Sequence, residues 1–598
     1  MLQSSLSNPT RICTAPKDIH PNCCLFVPGG WNVRDYISGA YFGLERNGEL
    51  VYQRKNGTYG TAPADHPAIG KYGIAHDGVS TNLILYSDDF SQWWNLRDIS
   101  LGDTIESPIG SFAQGIICST DDTTHTLRTP YKDKFSCNEG DIFTYSFFVK
   151  SGKYSKIRFF NNFYDSNGDY VSNNGNVFEL DIDTETIHKQ QPNVIDYYIK
   201  DLGEFKRISV TFQIPDTTPD AAYFINYIQV MNDSWEVGFA GDGESNAFYF
   251  TRVQIEQKPY ASSPIYTNGS TASRPTQAAT SDGNGYRVPL DMLDPRVQAC
   301  LGGKGAPLGD ELVTDGNNED AQWSLENGKT GNASQCQSND LAYGGSYSNK
   351  VVCTNDNTNF YAGQADSTGV KVTFGKTYLV SGWVYLPSGQ NITEVSLLGY
   401  DGSNYPETNG IATTDDWVYL ELQYIPQSDF WVAFKGYNGY TDEYFYVDNI
   451  SVKELQPEGT LICEWRPNID YSTFVNEEKQ VGIISCRDVS TGSLFYTNFY
   501  NPLNITDTVE FPYYDIDEYT KGDIWIVIVR WQAGGNFCIG RIKDGKAVFG
   551  PEKSFVGSFP IDNHLNLFYS NEYPQSISNI KLYDKALDDD TIVREARK

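Results

Sequence analysis

Apolar and polar residues alternate along most of this chain. FTYSFFVKSG (143–152), KRISVTFQIP (206–215) and FYFTRVQIEQ (248–257) are apolar at every second position over much of their length and are bounded by turn residues. KTYLVSGWVYLPSG (376–389), DDWVYLELQYIP (415–426) and YFYVDNISVKEL (444–455) follow the same rule. A period of two turns one face of a segment to a core and the other to water, which predicts strands. Beyond residue 456 the pattern changes. KGDIWIVIVRW (521–531) is a continuous apolar strand, and CIGRIKDGKAVFG (538–550) is a hairpin turning on Asp544 and Gly545. LNLFYSN (565–571) and ISNIKLYDKAL (577–587) are two more strands. The single helical piece is the terminal DDDTIVREARK, where acids precede bases as the helix dipole prefers.

The strands come in a repeated series. Each series opens on a related phrase, TNLILYSDDFSQWW (81–94) or ELVTDGNNEDAQW (311–323). An aromatic strand ending in Ser-Gly follows, then a strand ending in Ile-Pro, then a closing strand. The order is kept while the spacings differ, as expected of divergent copies with loop insertions. This predicts two homologous β-modules, 80–276 and 309–455, joined by a Gly-, Pro- and Asp-rich linker, 277–308. A short β lead-in, 46–79, carries Gly-containing hairpin turns at NGEL and NGTYG, and residues 1–45 form an N-terminal arm. A third β-domain spans 456–598.

Composition agrees with an all-β chain. A length of 598 residues exceeds one ordinary core. Aromatics reach 14%, with 41 Tyr, and such rings suit pleated, half-buried surfaces. The 76 acidic residues against 45 basic ones leave a net charge of −31, which repels phosphate. Nucleic acid and anionic membranes are therefore not expected partners; solubility or calcium binding is. No apolar run reaches the roughly 18 residues of a membrane-spanning helix. The start, MLQSSLSNPTRICTAPKDIHP, lacks the apolar stretch of a secretory signal. The 11 cysteines are odd in number and scattered, so reduced, mostly buried thiols are expected. Cys13, His20, Cys23 and Cys24 cluster without a CxxC pair, which favours a packed arm over a metal site.

The first module resembles the jelly-roll carbohydrate-binding modules of tailed-bacteriophage virion proteins. The resemblance rests on TNLILYSDDFSQWW, YSFFVKSG, FKRISVTF, FYFTRVQIEQ, the tail PYASSPIYTNGSTASRP (259–275) and the lead-in RNGELVYQRKNGTYGTAPADHPAIGKYG (46–73). The second module is similar to the same superfamily through ELVTDGNNEDAQW, SGWVYL and VDNISV. That resemblance implies a structural calcium held by Asp448 of the closing strand with Glu311 or Asp315 of the opener. Thr251-Arg252 stands at the corresponding place in the first module, which implies no ion there. The third domain resembles the concanavalin A-like or laminin-G-like lectin fold through IWIVIVRW, IKDGKAVF and SISNIKLYDKALDDDTI, without an identifiable calcium-dependent sugar loop.

Sugars bind proteins by stacking apolar C–H faces on aromatic rings, with a few polar groups fixing the hydroxyls. FKGYNGYTDEYFY (434–446) is the loop best suited to that, with Tyr437, Asn438 and Tyr440 among glycines and Trp431 in the strand before. Its alternative reading is a solvated loop with Trp431 and Tyr444 in the core. Trp235 in MNDSWEVG is the candidate in the first module. Trp93, Trp94, Trp383 and Trp525 are expected to fill cores. Enzyme motifs are missing: there is no GxSxG, HExxH or phosphate loop, and His66, His76 and His564 are isolated. The sequence therefore reads as a non-enzymatic, all-β virion surface protein, a head-fibre or tail-fibre component of a bacteriophage. It would be assembled in the bacterial cytoplasm, dock on other virion proteins through its N-terminal arm, bind bacterial or host-surface glycans, and form a dimer or trimer. A purely structural spacer and a polysaccharide depolymerase are the alternatives.

Overall fold

The structure is a computed structural model. It describes residues 20–27, 80–92, 95–129, 134–215, 221–274, 286–320, 330–363, 369–374, 376–467, 522–532, 536–550 and 575–598, with shorter pieces between 33 and 76 and between 480 and 567. Cys13, His66, Trp93, Trp94, Trp323 and most of the expected turns at NGEL and NGTYG lie outside the described residues.

The regular secondary structure of the described residues is almost entirely antiparallel strands, stacked as β-sandwiches. In the first, one sheet runs in the order Val194–Leu202, Phe205–Gln213, Ile142–Ser151, Asn246–Glu256, Phe112–Cys118, Ile99–Glu106. It faces a sheet in which Lys156–Tyr164 lies between Tyr170–Asp181 and Tyr223–Met231. Alternation explains the core: Phe143, Tyr145, Phe147 and Val149 point inward from one sheet to meet Ile157, Phe159 and Phe163 from the other.

The second sandwich repeats this plan. Trp417–Tyr424 pairs with Tyr378–Tyr385, which pairs with the closing strand Tyr444–Leu455, followed by Ser348–Cys353 and Ala333–Ser338. The facing sheet is Thr330–Gly331, Thr358–Gly363, Trp431–Gly439, Val395–Tyr400. The likeness of the two modules extends to single hydrogen bonds. Leu83 N–H donates to Ile255 O at 2.8 Å, and Leu312 N–H to Val452 O at 2.9 Å. Val253 N–H donates to Ser87 O at 2.9 Å, and Ile450 N–H to Gly316 O at 2.8 Å. A side chain completes each clamp: Asn82 Oδ1 accepts from Ile255 N–H at 3.2 Å, and Glu311 Oε1 from Val452 N–H at 2.9 Å. The repeated opening phrase is thus the segment that pins each closing strand.

The third sandwich departs from the expected boundaries. Gln575–Tyr583 pairs on one side with Gly459–Pro467. On its other side it pairs with Cys23–Val27 and Gly73–His76. In the companion sheet Tyr286–Pro289 lies between Gly43–Leu44 and His564–Leu567. Within the expected N-terminal arm, Cys23–Val27 is therefore a buried strand, and the expected linker supplies another strand and the short helix Pro295–Cys300. Leu25, Val27, Val288, Val297, Leu301, Trp465, Trp525 and Trp531 share one core. Trp531 Nε1 donates to Cys300 O at 2.7 Å. The physical reason is in CCLFV itself, five apolar-leaning residues buried on both faces, which need a sheet on each edge or a layer on each side. Gly43–Leu44 pairs with Tyr286–Pro289, and Leu50–Gln53 pairs with Tyr59–Ala62, while the expected turn at NGEL between them lies outside the described residues.

Two local expectations hold. Asp544 and Gly545 take φ of 51° and 74°, the left-handed pair of a tight hairpin turn. Asp589–Ala596 is helical and is capped by Asp588, which accepts from Thr591 N–H at 2.8 Å. The described cysteines are free thiols, buried except for Cys336.

Candidate functional site

The strand Trp431–Gly439 is central to the geometry. Val432 and Phe434 point into the core of the second sandwich, so Trp431, Ala433, Lys435 and Tyr437 face outward. Register brings neighbours beside them: Tyr361 and Ser396 flank Lys435, and Tyr400 lies opposite Trp431. The rings of Tyr400 and Trp431 are 5.6 Å apart and tilted by 52°. Tyr361 is 41% exposed and Tyr400 36%, so aromatic surface on this face meets solvent.

A loop along the sheet edge contributes the acid. It follows Val395–Tyr400 and bridges back to it, Glu407 to Leu398 and Ile411 to Val395. Asp401 folds the start of the loop by accepting from the N–H groups of Ser403 at 2.9 Å, Asn404 at 2.7 Å and, across the sheet, Gln427 at 2.9 Å. Tyr405 projects from this loop and is 71% exposed. Glu407 accepts hydrogen bonds from the hydroxyls of Ser396 and Tyr437. Lys435 Nζ donates to Glu407 Oε2 at 3.2 Å and to Tyr437 Oη at 2.6 Å. Burial pushes the Glu407 carboxyl up, but the Ser396 and Tyr437 hydroxyls and the Lys435 charge outweigh it and hold it below the usual carboxylate range. The result is a charged, hydrogen-bonding centre with rings around it.

Of the five expected sugar-contacting residues, Trp431 and Tyr437 are on this face. Asn438 lies at the end of the strand with φ of 57°, its amide donating to Thr393 Oγ1 at 3.1 Å. Tyr440 follows in a turn closed by its N–H on Glu443 Oε2 at 2.8 Å, and its side chain is exposed. Trp235 belongs to a different sandwich. It sits in the turn after Tyr223–Met231, and the His188 ring covers it at 4.2 Å with the planes 13° apart. The sequence reading missed Lys435, Glu407, Ser396, Tyr361, Tyr400 and Tyr405. Parity along Trp431–Gly439 would have found Lys435; the others depend on which strands become neighbours.

The expected metal residues do not form a cage. Glu311 Oε1 accepts from the N–H groups of Leu312, Val313 and Val452 at 3.1, 3.0 and 2.9 Å, and its Oε2 from the Ser451 hydroxyl at 2.6 Å. Asp448 accepts from Tyr343, Gly344 and Asn449 N–H at 2.9, 3.1 and 2.7 Å. Asp315 caps Asp320 N–H at 2.9 Å. The Glu311 and Asp448 carboxylates are thus largely engaged by N–H and O–H donors of the fold. Among the described residues no group of three or more His, Cys, Asp or Glu side chains is placed to hold a metal. The geometry does not fit a calcium shared by Glu311, Asp315 and Asp448. Burial instead pushes the Asp448 carboxyl up, against the N–H groups of Gly344, Asn449 and Tyr343.

Trp525 fills a core as expected, but Trp383 does not. Its neighbours Val380 and Val384 point inward, so residue 383 is out of phase and lies on the outer surface of the other sheet.

No curated protein matches the sequence. Part of the chain is similar in structure to the CBM22-1 xylan-binding domain from Paenibacillus barcinonensis Xyn10C, at 16% identity and a TM-score of 0.20, covering 25% of this chain and 98% of that one. It is similar to the family 22 carbohydrate binding module of Clostridium thermocellum Xyn10B at 22% identity and a TM-score of 0.19, over 24% of this chain and 97% of that one. It is also similar to the enzymatically active domain of tailspike protein 4 of bacteriophage CBA120, at 11% identity and a TM-score of 0.20, over 24% of this chain and 21% of that one. Residues 311–436 match a family described as a carbohydrate binding domain, a span that runs from the opener of the second module into the strand bearing Trp431 and Lys435.

Proposed function

We propose that this chain is a glycan-binding surface protein whose second module holds a polysaccharide on the Trp431 face. The supporting observation is the union, on one rigid sheet face, of Trp431, Tyr400 and Tyr361 with the Lys435–Glu407–Tyr437 centre. The match of residues 311–436 to a carbohydrate binding domain supports the same reading. Pyranose C–H faces stack on the rings, while Lys435 donates to and Glu407 accepts from sugar hydroxyls. The groups are already bonded to one another, so little side-chain freedom is lost on binding.

The test is native gel electrophoresis of the full chain through xylan, galactan or glucomannan. Trp431→Ala should weaken retardation by about thirtyfold, equivalent to about 2 kcal/mol for a buried aromatic anchor. Unchanged retardation would remove this face from the account, and silence of the wild-type chain in every gel favours the spacer reading. An unchanged chain-length profile after incubation separates binding from depolymerisation.

The same proposal places the chain on a phage particle, as a head-fibre or tail-fibre component made in the bacterial cytoplasm and present in many copies as a dimer or trimer. The phrases of the first module and its lead-in support this, and so does the concanavalin A-like pattern of the third domain. Repetition on a particle would raise weak single-site affinity. Docking through the N-terminal arm falls to residues 1–19, because Cys23–Val27 is committed to a core. Deleting residues 1–19 should leave folded protein that no longer joins particles; normal incorporation would refute that role.

A further inference from the structure

We propose that the opposite sheet of the second module is a second polysaccharide-binding face, so that one sandwich engages two glycan chains at once. This rests on the reading of the module as glycan-binding and extends it to a surface that shares no residue with the Trp431 face. Register sets the surface out in rows. Lys350, Tyr446, Tyr385 and Trp417 lie side by side on four neighbouring strands. Asp448, Trp383 and Tyr419 form the next row. Tyr343 stacks on Trp383 at 3.8 Å with planes 15° apart, and meets Trp417 edge-on at 5.9 Å. Trp383 and Tyr419 are 5.3 Å apart, Tyr385 and Trp417 5.6 Å. Tyr343 and Tyr419 are 43% and 42% exposed, so solvent reaches both ends of the cluster.

The chemistry favours an uncharged glycan. Flat rings with polar tips suit the alternating C–H faces and hydroxyls of a sugar chain. The rings already brace one another, so the platform is rigid before a ligand arrives. Asp416 and Glu421 are exposed acids on the strand of Trp417 and Tyr419 or at its start, and Asp340 lies 3.4 Å from Lys350 Nζ at the far side. Together with a net charge of −31 they disfavour an acidic polysaccharide or a phosphate-bearing surface. They equally disfavour a second copy of this chain, which would present the same acids face to face. The two platforms lie on opposite outer surfaces of one sandwich, so one bound chain does not obstruct the other.

The experiment compares the full chain with Trp417→Ala/Tyr419→Ala, Trp431→Ala/Tyr361→Ala and the combination, each checked for native circular dichroism. Each is run in native gels containing xylan, galactan or glucomannan and mixed with the same polymers to follow turbidity. We expect the wild type to be retarded and to cross-link polymer into turbid aggregates. Each pair of substitutions should weaken retardation about tenfold or more and lower the turbidity, and the combination should remove both altogether. If Trp417→Ala/Tyr419→Ala behaves as wild type, the second face is overturned while the Trp431 face stands. If Trp431→Ala/Tyr361→Ala behaves as wild type and the other pair abolishes retardation, the two-face proposal is overturned and binding moves to the Trp417 face alone. A wild-type dimer that Trp417→Ala/Tyr419→Ala converts to monomer in sedimentation, without loss of retardation, overturns the second face as a self-contact. No retardation of the wild type in any gel overturns both.

Discussion

Lys435 shows how much a single residue depends on its surroundings. In FKGYNGY it reads as a solvated charge among aromatics. In the fold it lies over the Tyr437 ring at 4.2 Å and is bonded to Glu407, which makes it the polar centre of an aromatic face. Glu407 carries a pH dependence. Its carboxyl is held below its ordinary value of 4.5, so near that pH the folded state binds fewer protons than the unfolded chain, and stability rises with pH. The contribution is complete above 4.5 and is lost as pH falls through the lowered value. Glu407→Gln should therefore speed hydrogen exchange of the 431–439 amides at neutral pH. The difference from wild type should shrink in acid; an equal difference at both pH values would show that the charge is not the cause. Trp383 teaches the complementary lesson. It is expected in the core, but its parity against the inward-pointing Val380 and Val384 sets it on the outer face.

At the scale of elements, the strands were legible because a half-buried strand must alternate. KRISVTFQIP became Phe205–Gln213, and DDWVYLELQYIP became Trp417–Tyr424. Register was not legible, since side-chain alternation says which face a residue takes but not which strand lies beside it. The closing strands show a device that sequence hid. Each contains a bulge at a left-handed residue, Arg252 at φ 50° and Asn449 at φ 46°, and each shifts register against its Ser-Gly partner there. Asparagine tolerates this conformation and a β-branched residue does not. Asn449→Val should lower the stability of the second module by about 1–3 kcal/mol, while Asn449→Gly should be near neutral. Thermal unfolding of both variants measures the contrast, and equal melting temperatures would show that the bulge bears no strain.

At the scale of the whole molecule, the third sandwich binds distant parts of the chain into one body. Its core takes side chains from Leu25, Val288, Trp465 and Ile577 together. Gln423 Nε2 of the second module donates to Gly302 O in the connector at 3.0 Å, so the connector is braced on both sides. Removing residues 1–27 would strip a strand from Gln575–Tyr583 and open the core over Trp465. We expect that truncation to expose the third sandwich to proteolysis while the fragment spanning 309–455 stays resistant. Equal resistance of the third sandwich in the truncated and intact chains would show that Cys23–Val27 contributes nothing to it.

Short-range chemistry determined much of this protein from sequence alone: an all-β chain, two modules built on one repeated plan, a turn at Asp544-Gly545 and a terminal helix, whereas the expected loop after Trp431 is the strand Trp431–Gly439 itself. Alternation, turn preference and capping each act within a few residues, so they are written locally. Only the tertiary structure decided that Cys23–Val27 joins a strand from the other end of the chain, that Glu407 meets Lys435, and that the rings of the second module divide between two opposite faces. Those outcomes depend on which strands lie side by side, a choice made by burying distant apolar faces together, and no local pattern encodes it.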